Sequence, residues 1–166
     1  MRLEVGSGGG TWRFRPSFEG EDVVFVDVER PKMNIARSRN FVVGDINNLP
    51  FKEEAFHKVA CSHVLEQNVM KDPLHALIEC RSVLSAEGEI HVWTPNFLHA
   101  DITASHLHVF TFWSLRSLLR EAGFKPHFFA NVGTRLPKIT RMLITILVLL
   151  LGDSLYLRGL KLTSQP

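Results

Sequence analysis

Four glycines crowd the first turn of this chain: Leu3–Val5 is a short apolar run, and Gly6, Gly8, Gly9 and Gly10 follow at once. Glycine loses more backbone freedom on ordering than any other residue, so neither a helix nor a strand continues well through such a stretch. The run must end as a clipped strand and turn. A glycine turn after a strand lets backbone approach a ligand closely, and the amides that follow favour negative groups. Glu4 stands just before the glycines.

The rest of the chain alternates strand and helix patterns. Val23–Val28, VVFVDV, is continuous and β-branched, the pattern of a parallel strand buried on both faces. Asn40–Val43 and Lys58–Ser62 are short strand candidates, and Glu89–Thr94 is a further strand ended by Pro95. Pro73–Leu84 carries apolar residues at helical spacing. Phe112–Ala122 reads as a helix stopped by Gly123. Lys125–Val132 is a strand, Leu136–Leu151 an apolar helix with Pro137 in its first turn, and Ser154–Leu162 alternates as an edge strand or hairpin arm would. Strands alternating with helices predict an α/β fold: a three-layer, mostly parallel sheet with an antiparallel member among its last strands. The 166 residues suit a single domain over 1–166, without linker, internal repeat or low-complexity tract.

Composition narrows the function. A net charge of +2, with Arg13, Arg15, Arg37 and Arg39 scattered, does not describe a nucleic-acid surface. Cys61 and Cys80 make no disulfide framework and no metal spacing, so a reducing, cytoplasmic setting is expected. MRLEVG is not expected to be a signal peptide, because no long apolar core follows it. Met142–Leu151 is the most apolar stretch. It falls short of the roughly 20 residues a membrane span needs. It reads as a buried helix or a contact to a second copy or a partner chain, with a membrane-surface contact as the other reading.

Several glycine motifs can be compared with the first turn. A Walker loop requires Gly-Lys-Ser/Thr at its end, which is absent. A nucleophile elbow requires glycine two residues before the serine, and Val5 stands there before Ser7. The dinucleotide fingerprint requires a glycine where Thr11 stands. The pattern that fits is Glu4-x-Gly6-x-Gly8-x-Gly10. Asp27 ends the second strand, about 20 residues past the first glycine, where an acid can accept from both hydroxyls of a ribose. Gly44-Asp45-Ile46 follows the third strand, and an acid there can accept from an adenine amino group.

These features, in this order, resemble the class I S-adenosylmethionine-dependent methyltransferases, especially the small-molecule group called type 11. The resemblance runs from Leu3 to about Phe124. It is carried by GDINNLPFKEEAF, by HVLEQNVMKDPLHALIECRSVLSAEGEIHVWTPN and by HLHVFTFWSLRSLLREAGF. It implies a Rossmann-like sheet of seven strands with S-adenosylmethionine across its switch point. Gly6, Ser7 and Gly8, with Glu4 before them, would line its methionine and sugar. Asp27 and Val28 would take the ribose, and Asp45 and Ile46 would flank the adenine. Ser62 and His63 would sit near the methionine part and the methyl group. No metal is implied, and the acceptor would be a small molecule or glycan- or lipid-like compound.

The chain also departs from the family pattern. No helix is expected ahead of the first strand, where the family usually has them, and a full helix hardly fits in the stretch from Gly10 to Val23. Gln67 stands where the family usually has histidine, His57 replaces an aspartate, and Glu87 replaces a glycine. Methyl transfer from a sulfonium asks chiefly for alignment and exclusion of water, with a general base when the nucleophile is a hydroxyl or ammonium. His63, His106 and His108, with Glu66 a turn beyond His63, are the base candidates; His106 and His108 would point to one side of a strand. A non-catalytic or partner-dependent cofactor-binding module is the alternative. A nicotinamide oxidoreductase is disfavoured by Thr11.

Overall fold

The structure, a computed structural model, describes residues 1–6, 22–29, 40–67, 72–98, 106–128, 139–140, 143, 146–147, 152 and 154–163. Its strands are β1 (Arg2–Val5), β2 (Val23–Asp27), β3 (Phe41–Val43), β4 (Phe56–Ser62), β5 (Leu84–Pro95), β6 (Phe124–Phe128) and β7 (Ser154–Lys161). Its named helices are α1 (Pro73–Ser82) and α2 (Phe112–Glu121). The seven strands form one sheet in the order β3-β2-β1-β4-β5-β7-β6. Strands β1 to β5 pair in parallel, and β7 runs antiparallel to both β5 and β6. The seven-stranded, mostly parallel sheet expected from the sequence is therefore present, with its antiparallel last strand.

The two faces of this sheet differ sharply. Register places Leu3, Val5, Val59, Cys61, Ile90, Val92, Leu155 and Leu157 on one face. All are buried in a single core with Ala76, Leu77 and Cys80 of α1 and Leu115 and Leu119 of α2. Each fully buried leucine contributes about 1.5–3 kcal/mol relative to exposure. Both helices start on side-chain caps. Asp72 accepts from the amides of Leu74 and His75 ahead of Pro73, and Thr111 exchanges bonds with Ser114. Gly123, at φ +83, then turns the chain out of α2, as its sequence position predicts.

The other face carries Arg2, Glu4, Lys58, Glu89, His91, Trp93, Tyr156 and Arg158. Glu89 is its hub, with Lys58 Nζ at 3.1 Å, His91 Nε2 at 3.0 Å and Arg158 Nη1 at 3.3 Å. A carboxylate only accepts, so His91 Nε2 donates to Glu89 and Nδ1 accepts from the Tyr156 hydroxyl at 2.7 Å. Trp93 stacks on Tyr156 with ring centroids 4.7 Å apart. Burial alone would raise Glu89, but hydrogen bonds from His91 and Lys58 bring its carboxyl below the usual range.

Three expectations are corrected here. Ser154–Lys161 is an interior strand rather than an edge strand, because β6 pairs beyond it. Its alternation reports one apolar and one polar sheet face and says nothing about lateral neighbours. Strand β2 is less uniformly buried than its β-branched run predicts: only Val26 is fully buried. Finally, β5 begins at Leu84 rather than Glu89. The pairing with β4 slips between Phe56 and Lys58, so Glu87 falls inside the strand, next to an irregularity in its register. The other predicted strand and helix ends that fall on described residues agree within a few residues; residues 129–132 of the Lys125–Val132 strand and both ends of the Leu136–Leu151 helix lie outside the described residues.

Burial holds His91 below the ordinary imidazole value of 6.5, against the opposing hydrogen bond and charge of Glu89. An unfolded chain then binds a proton near that pH that the folded chain refuses, so stability falls as pH drops through and below about 6.5. We expect His91→Gln to lose less melting temperature than the wild type between about pH 7.5 and 5.5, measured by thermal denaturation at both values. Equal losses would remove His91 from the pH dependence.

Candidate functional site

The strand order reverses between β1 and β4, since β2 and β3 lie to one side of β1 and β4 and β5 to the other. In an open parallel sheet the ligand crevice lies beyond the carboxyl ends of the strands at such a point. A cleft of about 350 Å³ opens there, lined by Val5, Gly6, Val26, Asp27, Val28, Gly44, Asp45, Ile46, Asn47, His63, Val64 and Gln67. This lies within the range of roughly 300–1,000 Å³ typical of small-molecule sites.

Each wall has an identifiable cause. Gly6 ends β1 at φ +71, and its amide donates to the Val26 carbonyl at 2.9 Å. A side chain there has no room: a Cβ would stand 2.1 Å from Val64 Cγ2. Asp27 ends β2, and its Oδ1 accepts from the Glu29 amide at 3.1 Å. The Gly44 amide donates to the Asp27 carbonyl at 2.9 Å, which ties the end of β3 beside the end of β2. Asp45 closes a local turn, with Oδ1 accepting from the backbone amide of Asn47 at 2.9 Å and from its side-chain Nδ2 at 2.8 Å. Helix α1 braces that turn. Glu79 Oε2 accepts from the Leu49 amide at 3.1 Å, and the His75 ring donates to the Asn47 carbonyl at 3.0 Å.

The fourth wall follows β4. His63 takes φ +53, a left-handed conformation uncommon outside glycine. Its amide donates to the Trp93 carbonyl at 2.9 Å, and its carbonyl accepts from Gln67 Nε2 at 3.0 Å. Its Nδ1 lies 3.1 Å from Glu66 Oε1. Gln67 also bridges to His106, and the Glu66 carbonyl accepts from the amides of Leu107 and His108 at 2.9 and 3.3 Å. Successive amides converging on one carbonyl are incompatible with a pleated strand. The expectation that His106 and His108 project from one side of a strand is therefore corrected: they lie on an irregular strap against the cleft.

Of the residues singled out in the sequence, Gly6, Asp27, Val28, Asp45, Ile46 and His63 meet on this cleft. Glu4 and Ser62 do not line it: both are buried and belong to the polar face of the sheet. Ser7 and Gly8 lie outside the described residues. Val5, Val26, Gly44, Asn47 and Val64 were not anticipated. Gly44 and Asn47 flank Asp45 and Ile46 in sequence, a usable signal. Val64 gives none, because its place against Gly6 exists only in the folded chain. Both cysteines are buried, and burial, with the charge of Glu79 behind it, pushes the Cys80 thiol up to about 12. Neither is a nucleophile at neutral pH. Among the described residues no group of three or more His, Cys, Asp and Glu side chains is arranged to hold a metal.

A family model described as a methyltransferase domain matches residues 3–92, just over half of the chain. The chain belongs to this methyltransferase family. No curated protein sequence matches it. Among solved structures, the methyltransferase fold is shared with a chain of the complex between the Haloferax volcanii Trm112 methyltransferase activator and a methyltransferase. That likeness has TM-score 0.70 at 17% identity, over 98% of this chain and 82% of that one. A SAM-dependent methyltransferase from Methanosarcina mazei matches with TM-score 0.69 and 17% identity, over 98% and 92% of the two chains. The 1,6-didemethyltoxoflavin-N1-methyltransferase of Burkholderia thailandensis, solved with 1,6-didemethyltoxoflavin and S-adenosylhomocysteine, matches with TM-score 0.66 and 21% identity, over 98% and 71%. At these identities the likenesses report the fold.

Gly6→Ala should destabilise this methyltransferase by roughly 1–3 kcal/mol, through both its backbone conformation and the contact with Val64. Val64→Ala in the same chain should recover part of the loss by making room, measured as a coupling between the two changes in urea unfolding. Strictly additive losses would mean that Val64 does not set the limit at Gly6.

Proposed function

We propose that this chain transfers a methyl group from S-adenosylmethionine, held in the cleft at the switch point, to a small-molecule, glycan- or lipid-like acceptor. The observation that carries the proposal is the meeting of Gly6, Asp27, Val28, Asp45, Ile46 and His63 on one cleft from four different strand ends. S-adenosylmethionine is the cofactor of the family to which the chain belongs. Bound there, it supplies a methyl group on a sulfonium that is already a good leaving group.

The lining fits such a ligand. Asp27 and Asp45 present two carboxylates, which suit ribose hydroxyls, an amino group and a cationic sulfonium, and which disfavour a phosphate-bearing ligand. Val5, Val26, Val28, Ile46 and Val64 supply apolar contact for a base and a thioether chain. In this reading Asp27 with Val28 holds the ribose, Asp45 with Ile46 the adenine, and Gly6, Ser7 and Gly8 the sugar and methionine. His63 faces the transferable methyl group. Glu4 and Ser62 support these positions from beneath.

A partner contact is the second element of the proposal. Ile139, Leu143, Ile146 and Leu147 are helical and are exposed at 71, 57, 45 and 53%. Their spacing puts them along one stripe of a helix. The reading of 142–151 as a buried helix does not hold for these side chains, and a contact to a second copy or a partner chain accounts for them. Among the described residues no helix is long and apolar enough to cross a membrane.

Calorimetric titration tests the cofactor site. Wild type should bind S-adenosylmethionine and S-adenosylhomocysteine and should not bind NAD. Asp27→Ala should weaken both by roughly 10- to 100-fold, the loss of charge-assisted hydrogen bonds worth about 1.5–3 kcal/mol. Unchanged affinity in Asp27→Ala would remove Asp27 from the site.

A further inference from the structure

We infer that His63 and Glu66 form a proton-accepting pair at the cleft, so that the methyl acceptor is a hydroxyl or amine compound that must lose a proton as it reacts. The inference rests on the methyltransferase reading above and adds to it the class of acceptor.

Three features of the pair point this way. First, the ring is held in place before any ligand arrives. His63 keeps a strained φ of +53, fixed by the Trp93 carbonyl on one side and the Gln67 amide on the other. Backbone strain kept by surrounding bonds is characteristic of functional positions. Second, the ring has one correct tautomer. Glu66 Oε1 only accepts, so the 3.1 Å contact requires the hydrogen on Nδ1. That leaves Nε2 with its lone pair, and no described residue bonds it. The ring lines the cleft with about a third of its side chain exposed. Third, Glu66 is 1% exposed, and its Oε2 is buried with no hydrogen-bond partner among the described residues. A buried carboxylate so poorly compensated depends on the bond it receives from the ring 3.1 Å away. Glu66 therefore holds the ring in that tautomer, and it is a positioning residue that acts through the ring.

Other titratable groups around the pair are the buried Cys61 of β4, which feels the Glu66 charge, Asp27 and Asp45 on the opposite walls of the cleft, and His106 and His108 on the strap. The strap is bonded through the Glu66 backbone, so it holds the turn without competing for the carboxylate.

A hydroxyl or protonated amine keeps its proton at neutral pH and is a poor nucleophile until that proton leaves. A thiol ionises more readily and has less need of a base. In balance, the acceptor exchanges its bond to hydrogen for a bond to carbon. The sulfonium departs as a thioether with the electron pair of the broken bond, and the proton rests on His63 Nε2.

Two measurements test the pair. In ¹⁵N-labelled wild-type protein bound to S-adenosylhomocysteine, long-range ¹H–¹⁵N correlations should show His63 protonated at Nδ1. An Nε2–H tautomer would overturn the proposal, and this measurement requires neither an acceptor nor a variant. In transfer assays with catechol, tyramine and 2-mercaptoethanol as probes, Glu66→Gln should lower kcat for the phenol or amine by roughly 10- to 100-fold. Its S-adenosylmethionine affinity should stay within about twofold of wild type, because Glu66 lies behind the ring. An unchanged kcat, or transfer confined to the thiol, would sink the pair while leaving the cofactor site standing. Failure of the wild type to bind S-adenosylmethionine would overturn both readings.

Discussion

Strand β1 is hydrogen-bonded in parallel on both sides, to β2 and to β4, and everything at the site depends on that double pairing. It is only four residues long. Its register with β2 sets Val5 beside Val26, and the Gly6 amide continues the ladder by one more bond to the Val26 carbonyl. Its register with β4 sets Val5 beside Cys61, so the chain leaving β4 turns across the same end. Parallel strands in register bring their carboxyl ends to one edge, and Gly6, Asp27, Asp45 and His63 are the residues that follow those ends. A slip of one residue in either pairing would exchange the two faces of β1 and carry its inward side chains outward.

The sheet then divides its labour between faces. The apolar face supplies cohesion, with α1 and α2 laid on one continuous core. The polar face is organised around Glu89, whose contacts with Lys58, His91 and Arg158 knit β4, β5 and β7 together. Ion pairs of this kind are modest sources of stability one by one, but leaving one member unpaired in a buried setting is costly, so they specify pairing. Helix α1 serves both cohesion and site. Its inner side chains fill the core, while Glu79 and His75 hold the turn that carries Asp45.

The cleft and the His63–Glu66 pair meet at one short turn, and their requirements differ. The cofactor region requires shape and two carboxylates, which strand ends provide cheaply. The pair requires a ring fixed in angle and tautomer beside a buried acid, and this takes bonds from β5, from Gln67 and from the strap at 106–108. A fold shared by many methyltransferases thus leaves acceptor chemistry to a few residues at the rim.

Much of this was legible in the chain. Alternating strand and helix patterns, and Gly123 as a stop, are local signals, and local backbone preference is what a sequence reports directly. Gly6, Asp27 and Asp45 were legible for the same reason, since each follows the end of a recognisable strand. Lateral neighbours were not. The alternation in Ser154–Lys161 describes two faces, so the interior place of β7 could emerge only when β6 paired beyond it. Nor could sequence place Val64 against Gly6, withdraw Glu4 and Ser62 into the sheet, or bury Glu66 behind His63. The sequence by itself determined the order of elements, the strand ends and the family. The tertiary structure alone decided which of those ends share a wall and which acid stands behind which base, because such contacts join residues far apart in the chain and no local preference encodes them.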